Sequence, residues 1–113
     1  MTYEEFNMLH NKMIEEEMVI GDTKAIEYTQ GDRLDNFKRI AAEIGITPKQ
    51  ALWVYLKKHM DSIAKYIFTG KVLSEPIEGR IKDARVYLSL LRGIIEEEKG
   101  IISYEDLKGG KDE

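Results

Sequence analysis

The sequence predicts an all-α fold, a compact bundle of four to five helices in a single domain. Apolar residues recur at intervals of three and four along much of the chain, as on the buried face of an amphipathic helix. Both prolines, Pro48 and Pro76, stand where a helix would begin. The 113 residues suffice for one modest core. We assign residues 1–107 to the domain and interpret residues 108–113 as a disordered polar tail.

The N-terminal segment predicts a first helix that ends near Glu17. Thr2 and Glu5 have the spacing of a capping box. Apolar residues then follow at helical intervals, namely Phe6, Leu9 and Met13. Farther on, Gly21-Asp22 and residues 30–32 are turn signals, so we expect one short helix between two loops over residues 18–32.

The clearest predicted boundary separates the second helix from the third. An amphipathic segment over residues 34–44 is followed by Gly45, in the position that glycine commonly takes after a helix. Thr47 can cap the next helix, Pro48 suits its first position, and Gln50 completes a capping box. These residue types together predict that one helix stops and another starts within a few residues.

The third and fourth helices are predicted to be long. The third runs from Pro48 to about Phe68, and its wide apolar face indicates a central helix with more than one neighbour. That face comprises Leu52, Leu56, His59, Ile63 and Ile67, widened by Trp53, Met60 and Ala64. The fourth helix begins near Pro76 and ends near Lys99, and residues 103–107 are expected to form a short last turn.

Composition excludes several classes of function. The chain has no cysteine, which rules out disulfides, zinc–thiolate sites and cysteine nucleophiles. A formal net charge of -4 without any basic run argues against a duplex nucleic-acid partner. No apolar run approaches the ~20 residues that span a bilayer, and the acidic N-terminal residues do not resemble a signal peptide. We therefore expect a cytoplasmic protein that does not associate with membranes.

Three carboxylates mark the start of the fourth helix, those of Glu75, Glu78 and Asp83. Acidic side chains in a first turn offset unsatisfied N–H groups, but Asp83 lies beyond that turn. At 100° per residue, Glu78 and Asp83 are about 140° apart, so one straight helix cannot aim both at one ion. Two interpretations stay open: helix-start acids with a flanking ion pair, or part of a magnesium site that another helix completes.

Polar side chains also fall on or beside the apolar stripes. Arg80 and Tyr87 lie near the stripe of the fourth helix, and Asp83 is within reach of Arg80 as an ion-pair partner. Arg80 either lays its stem over the core or presents its guanidinium to a phosphate or carboxylate. His59, inside the stripe of the third helix, is either a hydrogen-bonded core residue or an acid–base group.

A polar loop led by an aromatic residue, from Tyr28 to Arg33, is a further candidate for binding. Loops on a rigid scaffold often carry binding groups, although a tyrosine before a glycine turn can also simply close over a core. The chain lacks phosphate-binding glycine motifs, and no nucleophile triad or cluster of histidine ligands is legible in the sequence.

Three segments taken together resemble a family of small, mostly phage-encoded proteins, the nucleotide-modification-associated helical domains. The matching residues are Lys24–Tyr28 with Asp35–Phe37, Leu52–His59 with Ser62–Ile63, and Glu75–Glu78 with Asp83 and Tyr87. That family is distantly similar to the MazG-type all-α nucleotide pyrophosphohydrolases, which hold magnesium with helix carboxylates. By position, the resemblance implies one pocket lined by Tyr28, Asn36, Lys58, Glu75, Glu78 and Asp83.

The chain departs from the MazG type in two places. The E-E-x-x-E element is absent, and Lys58-His59 stands where relatives have an acidic–basic pair. We therefore expect binding without turnover. The candidate ligand-binding residues are Tyr28, Arg33, Asn36, Lys58, His59, Arg80, Asp83 and Tyr87, and the candidate magnesium ligands are Glu75, Glu78 and Asp83.

Three hypotheses of function follow. The first is a phage-type helical protein that binds a nucleotide or nucleotide-derived ligand. The second is a magnesium-dependent nucleoside triphosphate pyrophosphohydrolase-like enzyme that uses Glu78 and Asp83. The third is a counter-defence protein whose acidic helical surface inhibits a basic host defence factor. The broad third helix, with Trp53 at the edge of its stripe, also predicts a homo-oligomer.

Overall fold

Four α-helices make up most of the described chain. The computed structural model describes residues 1–28, 32–71 and 75–100, and within the first range the side chains of residues 1–18. The helices are α1 (Tyr3–Tyr28), α2 (Asp35–Ile44), α3 (Pro48–Thr69) and α4 (Ile77–Glu98). No strand occurs in these ranges, which confirms the all-α prediction. The predicted turn at residues 103–107 and the predicted tail lie outside the described residues.

Capping fixes the boundary between α2 and α3 as the sequence predicts. The backbone N–H of Gln50 donates to Thr47 Oγ1 at 3.1 Å, and the N–H of Thr47 donates to Gln50 Oε1 at 2.9 Å. Gly45, at the end of α2, has a φ of 77°, a left-handed conformation that glycine adopts without steric cost. These capping signals act between neighbouring residues, so the helix boundary can be predicted from the sequence without the tertiary structure.

The first helix is longer than the sequence suggested. Thr2 and Glu5 do form a capping box, through bonds of 2.7 and 3.0 Å. The prediction of an end near Glu17 and a separate short helix was wrong, because α1 continues through Gly21 to Tyr28. A glycine inside a helix costs only about 1 kcal/mol relative to alanine, so one Gly-Asp pair does not stop a helix that is otherwise favoured.

Helices α3 and α4 form an antiparallel pair at the centre of the fold. Lys49 at the start of α3 pairs with Glu98 at the end of α4 at 3.1 Å, and Tyr55 stacks with Tyr87 midway. Helix α2 packs on α3, and α1 packs along α4. The prediction that the third helix has more than one neighbour is therefore confirmed.

The core lies between α2, α3 and α4. Its buried side chains are Leu34, Phe37, Ala41, Ala51, Leu52, Leu56, Ala84 and Ile94. Leu52 is the largest fully buried residue among those described. The predicted wide face of α3 is only partly covered, since Trp53, Met60 and Ile67 keep 53%, 43% and 67% of their surface exposed.

Ion pairs join α1 to α4. Arg85 donates to both carboxylate oxygens of Glu17, and Lys82 Nζ lies 4.0 Å from Glu16 Oε1. Since the residue numbers of these partners rise together, α1 and α4 run parallel along their contact.

Truncation of Leu52 tests this description of the core. We expect Leu52→Ala to lower the free energy of unfolding by about 2–5 kcal/mol, because it leaves a cavity that neighbouring helices cannot fill. Val54→Ala is the matched control on the same helix, since Val54 is 58% exposed and its truncation should change stability by about 0.5 kcal/mol or less. Urea unfolding measures both. Equal losses in the two variants would contradict this core.

Candidate functional site

A cleft opens where α2, α3 and α4 meet. Its volume is ≈ 340 Å³, at the lower end of the range for small-molecule sites. One wall is aromatic and the other polar, and each of the three helices contributes to the lining. The residues that give the cleft its character are Phe37, Tyr55 and Tyr87 on the aromatic side and Arg33, Asn36 and Asp83 on the polar side.

The aromatic wall is one contiguous cluster. The rings of Tyr55 and Tyr87 are nearly parallel, with an interplanar angle of 7° and centroids 6.2 Å apart. Phe37 meets both rings edge-on, at centroid distances of 6.1 and 6.2 Å. Such pairs each stabilise a fold by about 0.5–1.5 kcal/mol beyond area burial. The three rings of the wall therefore stabilise one another.

The polar side begins at the N-terminus of α2. Arg33 lies two residues before this helix, and Asn36 lies in its first turn, where Asn36 Oδ1 accepts a bond from Arg39 Nη2 at 3.1 Å. Asp83 reaches the cleft from α4. The cleft thus combines a cation, an amide and a carboxylate beside aromatic rings.

A three-residue ion-pair network holds the start of α2 in place. Lys38 Nζ lies 2.7 Å from Asp32 Oδ2 and 3.0 Å from Glu97 Oε1 on α4. The bond from Lys38 and the backbone N–H of Leu34 keep the pKa of Asp32 below its ordinary value. The same bonds to Asp32 and Glu97 raise the pKa of Lys38. Because Arg33 follows Asp32 directly, this network holds the backbone from which Arg33 reaches the cleft.

His59 lies beside the aromatic wall. Its ring is tilted against Tyr87 at a centroid distance of 5.4 Å, and its Nδ1 lies 4.0 Å from Asp83 Oδ2. This buried Nδ1 makes no hydrogen bond within the described residues. Burial lowers the pKa of His59 below 6.5; Asp83 and Glu75 oppose this shift, while Arg80 and Lys58 reinforce it. The imidazole is therefore neutral at pH 7.

Tyr87 remains a neutral phenol. Its burial raises the pKa of the hydroxyl above the ordinary 10.0, the charge of Asp83 and the neighbouring Tyr55 act in the same direction, and Arg33 opposes them. A phenol in this state donates and accepts hydrogen bonds. Tyr87 therefore offers both a ring and a polar group to the cleft.

The structure brings together four of the predicted ligand-binding residues, Arg33, Asn36, Asp83 and Tyr87. His59 and Arg80 lie near this group without lining it; Arg80 Nε is 3.8 Å from Glu75 Oε1. Lys58 is exposed and does not line the cleft. The side chain of Tyr28 lies outside the described residues.

The three candidate magnesium ligands do not share one site. Asp83 lines the cleft, whereas Glu78 lines a separate groove between α1 and α4 together with Glu16 and Glu17. Glu75 faces Arg80. Over the part of the chain that the structure describes, no group of three or more acidic or histidine side chains is arranged to hold a metal ion.

Four lining residues were not predicted as site residues, namely Phe37, Tyr55, Val86 and Leu90. Phe37 falls in the apolar stripe of α2, and aromatic residues in such stripes are usually core. The signal for Tyr55 was its position four residues before His59, which places both side chains on the same face of α3.

Comparison with family models, with curated proteins and with solved structures finds no match to this chain. Across the described ranges, none of the helices has the length and apolar character required to cross a bilayer. The fold and the cleft together define an all-α helical domain with an aromatic and polar cleft at the junction of three helices.

The environment of His59 predicts a pH dependence of stability. Its pKa is lowered in the folded chain, so the unfolded state binds more protons at mildly acidic pH. The free energy of unfolding should therefore fall as the pH drops below about 6.5. Urea unfolding at about pH 7.5 and about pH 5.5 measures this loss, which should be smaller in His59→Gln.

NMR provides the direct control. Loss of one imidazole signal in His59→Gln assigns that resonance in the unchanged chain. Titration of the assigned signal with a midpoint above 6.5 would show that burial does not dominate at His59, and the expected pH dependence would then have the wrong sign.

Proposed function

We propose that this chain is a small helical protein that binds a nucleotide or nucleotide-derived ligand, without turnover, in the cleft between α2, α3 and α4. The observation that carries the proposal is the combination, in one cleft, of an aromatic wall and an arginine. A nucleotide has the matching combination of a planar base and an anionic phosphate.

The aromatic wall supports the proposal through its chemistry. Flat rings bind bases by stacking, an interaction of about 1–3 kcal/mol per base. Tyr55 and Tyr87 are partly buried and offer ring surface to the cleft, whereas Phe37, at 4% exposed, supports both rings edge-on from a third helix. A preformed surface of this kind binds a planar ligand with little loss of side-chain entropy.

The start of α2 supports binding of the anionic part. Arg33 provides a guanidinium that can contact two phosphate oxygens at once. The positive end of the α2 dipole adds to its field. The ion pairs of Lys38 with Asp32 and Glu97 hold this end of the helix, which favours an arginine that is oriented before the ligand arrives.

Asn36 and Asp83 supply hydrogen-bonding groups for the rest of the ligand. The amide of Asn36 can donate and accept, and the carboxylate of Asp83 accepts from N–H or hydroxyl groups of a base or sugar. The modest volume of the cleft, ≈ 340 Å³, favours a ligand no larger than one nucleotide within it.

The enzyme hypothesis stays a prediction. Magnesium-dependent hydrolysis of a nucleoside triphosphate requires that Glu78→Ala or Asp83→Ala abolish the release of phosphate or pyrophosphate. The phage-type relationship, the inhibition of a host defence factor and the cytoplasmic location also stay predictions.

Ligand-induced thermal stabilisation tests the proposed function. Nucleoside mono-, di- and triphosphates and cyclic dinucleotides are added singly, and a ligand that binds only the folded chain raises its Tm. At about one hundred times the Kd, the gain is about 2.7 kcal/mol. If none of these ligands changes the Tm, the proposed function is wrong.

Two substitutions in the cleft should weaken binding of whichever nucleotide stabilises the chain. We expect Tyr87→Leu to weaken it about 5- to 150-fold through lost stacking, and Arg33→Gln to weaken phosphorylated ligands more than the free nucleoside. Isothermal titration calorimetry measures both. Tyr66→Leu and Arg92→Gln are matched controls on α3 and α4 outside the cleft lining. An equal loss in the controls would contradict binding at this cleft.

A further inference from the structure

An exposed apolar face lies on the pair formed by α3 and α4. On α3 it comprises Trp53, Met60 and Ile67, which are 53%, 43% and 67% exposed. On α4 it comprises Ile81 and Leu88, which are 37% and 51% exposed. Within each helix these residues are seven apart, so each set forms one line along the helix. We call this surface the back face.

The back face points away from the proposed ligand cleft. At 100° per residue, the line on α3 is turned about 140° from Tyr55, and the line on α4 is turned about 150° from Val86. Both reference residues line the cleft. The back face is therefore separate from the proposed ligand site, and its role does not depend on nucleotide binding.

The described helices leave this face uncovered because of their number and lengths. Helices α3 and α4 have 22 residues each and are about 33 Å long, whereas α2 has 10 residues and spans about 15 Å on the cleft side. Helix α1 packs along the neighbouring flank of α4, through Arg85 and Lys82, and its groove with α4 includes Ile81 at the margin of the back face. No described helix therefore packs over Met60 and Leu88.

The α3 line of the back face matches itself under a two-fold rotation. Trp53 and Ile67 lie seven residues before and after Met60. If two copies of α3 cross antiparallel at Met60, each Trp53 meets Ile67 of the second copy, as an isologous contact requires. On α4, Ile81 lies at the level of Met60 and Leu88 near that of Trp53, because His59 faces Asp83 and Tyr55 faces Tyr87 across the pair.

The charges beside the back face suit this crossing. Lys57 and Asp61 form an ion pair of 3.0 Å at its edge on α3. The two-fold rotation brings Lys57 of one copy to within one helical turn of Asp61 of the second copy. Two pairs of opposite charges then meet along the α3 edge of the contact, whereas an edge of a single sign would repel its own copy.

The area of the back face also fits a partner. Taking about 200 Å² for each large apolar side chain, its five residues expose roughly 500 Å² in total. That area is in the upper part of the range for the largest apolar patch on a monomer, and a standard interface buries about 800 Å² per partner. The stems of Lys57 and neighbouring side chains can supply the remainder.

We propose that the back face is the interface of a two-fold homodimer, in which the α3–α4 pairs of two copies form a four-helix bundle. Each copy supplies the apolar layer that the other lacks. The dimer leaves both ligand clefts open, because they lie on the opposite side of each α3–α4 pair.

Sedimentation velocity of the full chain over a range of concentrations tests the proposal. We expect a species of twice the 13.1 kDa chain mass. The double variant Met60→Glu with Ile67→Glu should weaken dimerisation at least tenfold and give the monomer mass. Lys65→Glu, at an exposed position about 140° around α3 from Met60, is the matched control and should stay dimeric. A chain that is monomeric at every concentration, or a control that dissociates as readily as the double variant, overturns the proposal.

Crosslinking provides a second test that does not depend on the folding of the glutamate variants. The chain has no cysteine, so Met60→Cys introduces a single thiol at the proposed two-fold axis. Mild oxidation should link two copies of Met60→Cys and should leave Val54→Cys unlinked. If the unchanged chain is dimeric but Met60→Cys does not crosslink in preference to Val54→Cys, the two copies meet elsewhere and the proposed interface is wrong.

Discussion

The packing of α3 against α4 is the constraint on which the rest of this structure depends. Leu52 and Leu56 of α3 are buried in the same core as Ala84 of α4, whose small side chain lets the two helices approach closely. This contact determines which residues of α3 lie opposite which residues of α4. It therefore places Tyr55 beside Tyr87 and His59 beside Asp83, and it determines the geometry of the cleft.

Helices α1 and α2 complete the molecule around that pair. Helix α2 covers one side of α3, and its N-terminus, held by Lys38 through Asp32 and Glu97, adds Arg33 and Asn36 to the cleft. Helix α1 lies along α4 and is joined to it by the Arg85–Glu17 ion pair. One side of the α3–α4 pair thus carries a preformed site, and the opposite side keeps an apolar surface for which we propose a second copy of the chain.

Local chemistry explains which parts of the fold could be predicted from the sequence. The boundary between α2 and α3 was predictable because Thr47, Gln50 and Gly45 act within a few residues of themselves. Helical arithmetic also separated Glu78 from Asp83, and the structure places them in different grooves.

The course of α1 was not predictable, because the turn signal at Gly21 is local and the preference of the whole helix outweighs it. Phe37 and Tyr55 were missed because an aromatic residue in an apolar stripe has the same pattern whether it faces core or cleft.

We propose that a nucleotide binds against the wall formed by Phe37, Tyr55 and Tyr87, with Arg33 beside its phosphate. Titration of the isotope-labelled chain with nucleotides, followed by two-dimensional NMR, locates the bound ligand, because ring currents of a stacked base shift nearby resonances. The largest changes are expected at these four residues and at Asn36. Changes centred instead on the groove beside Glu78, or no saturable change with any nucleotide, would contradict this proposal.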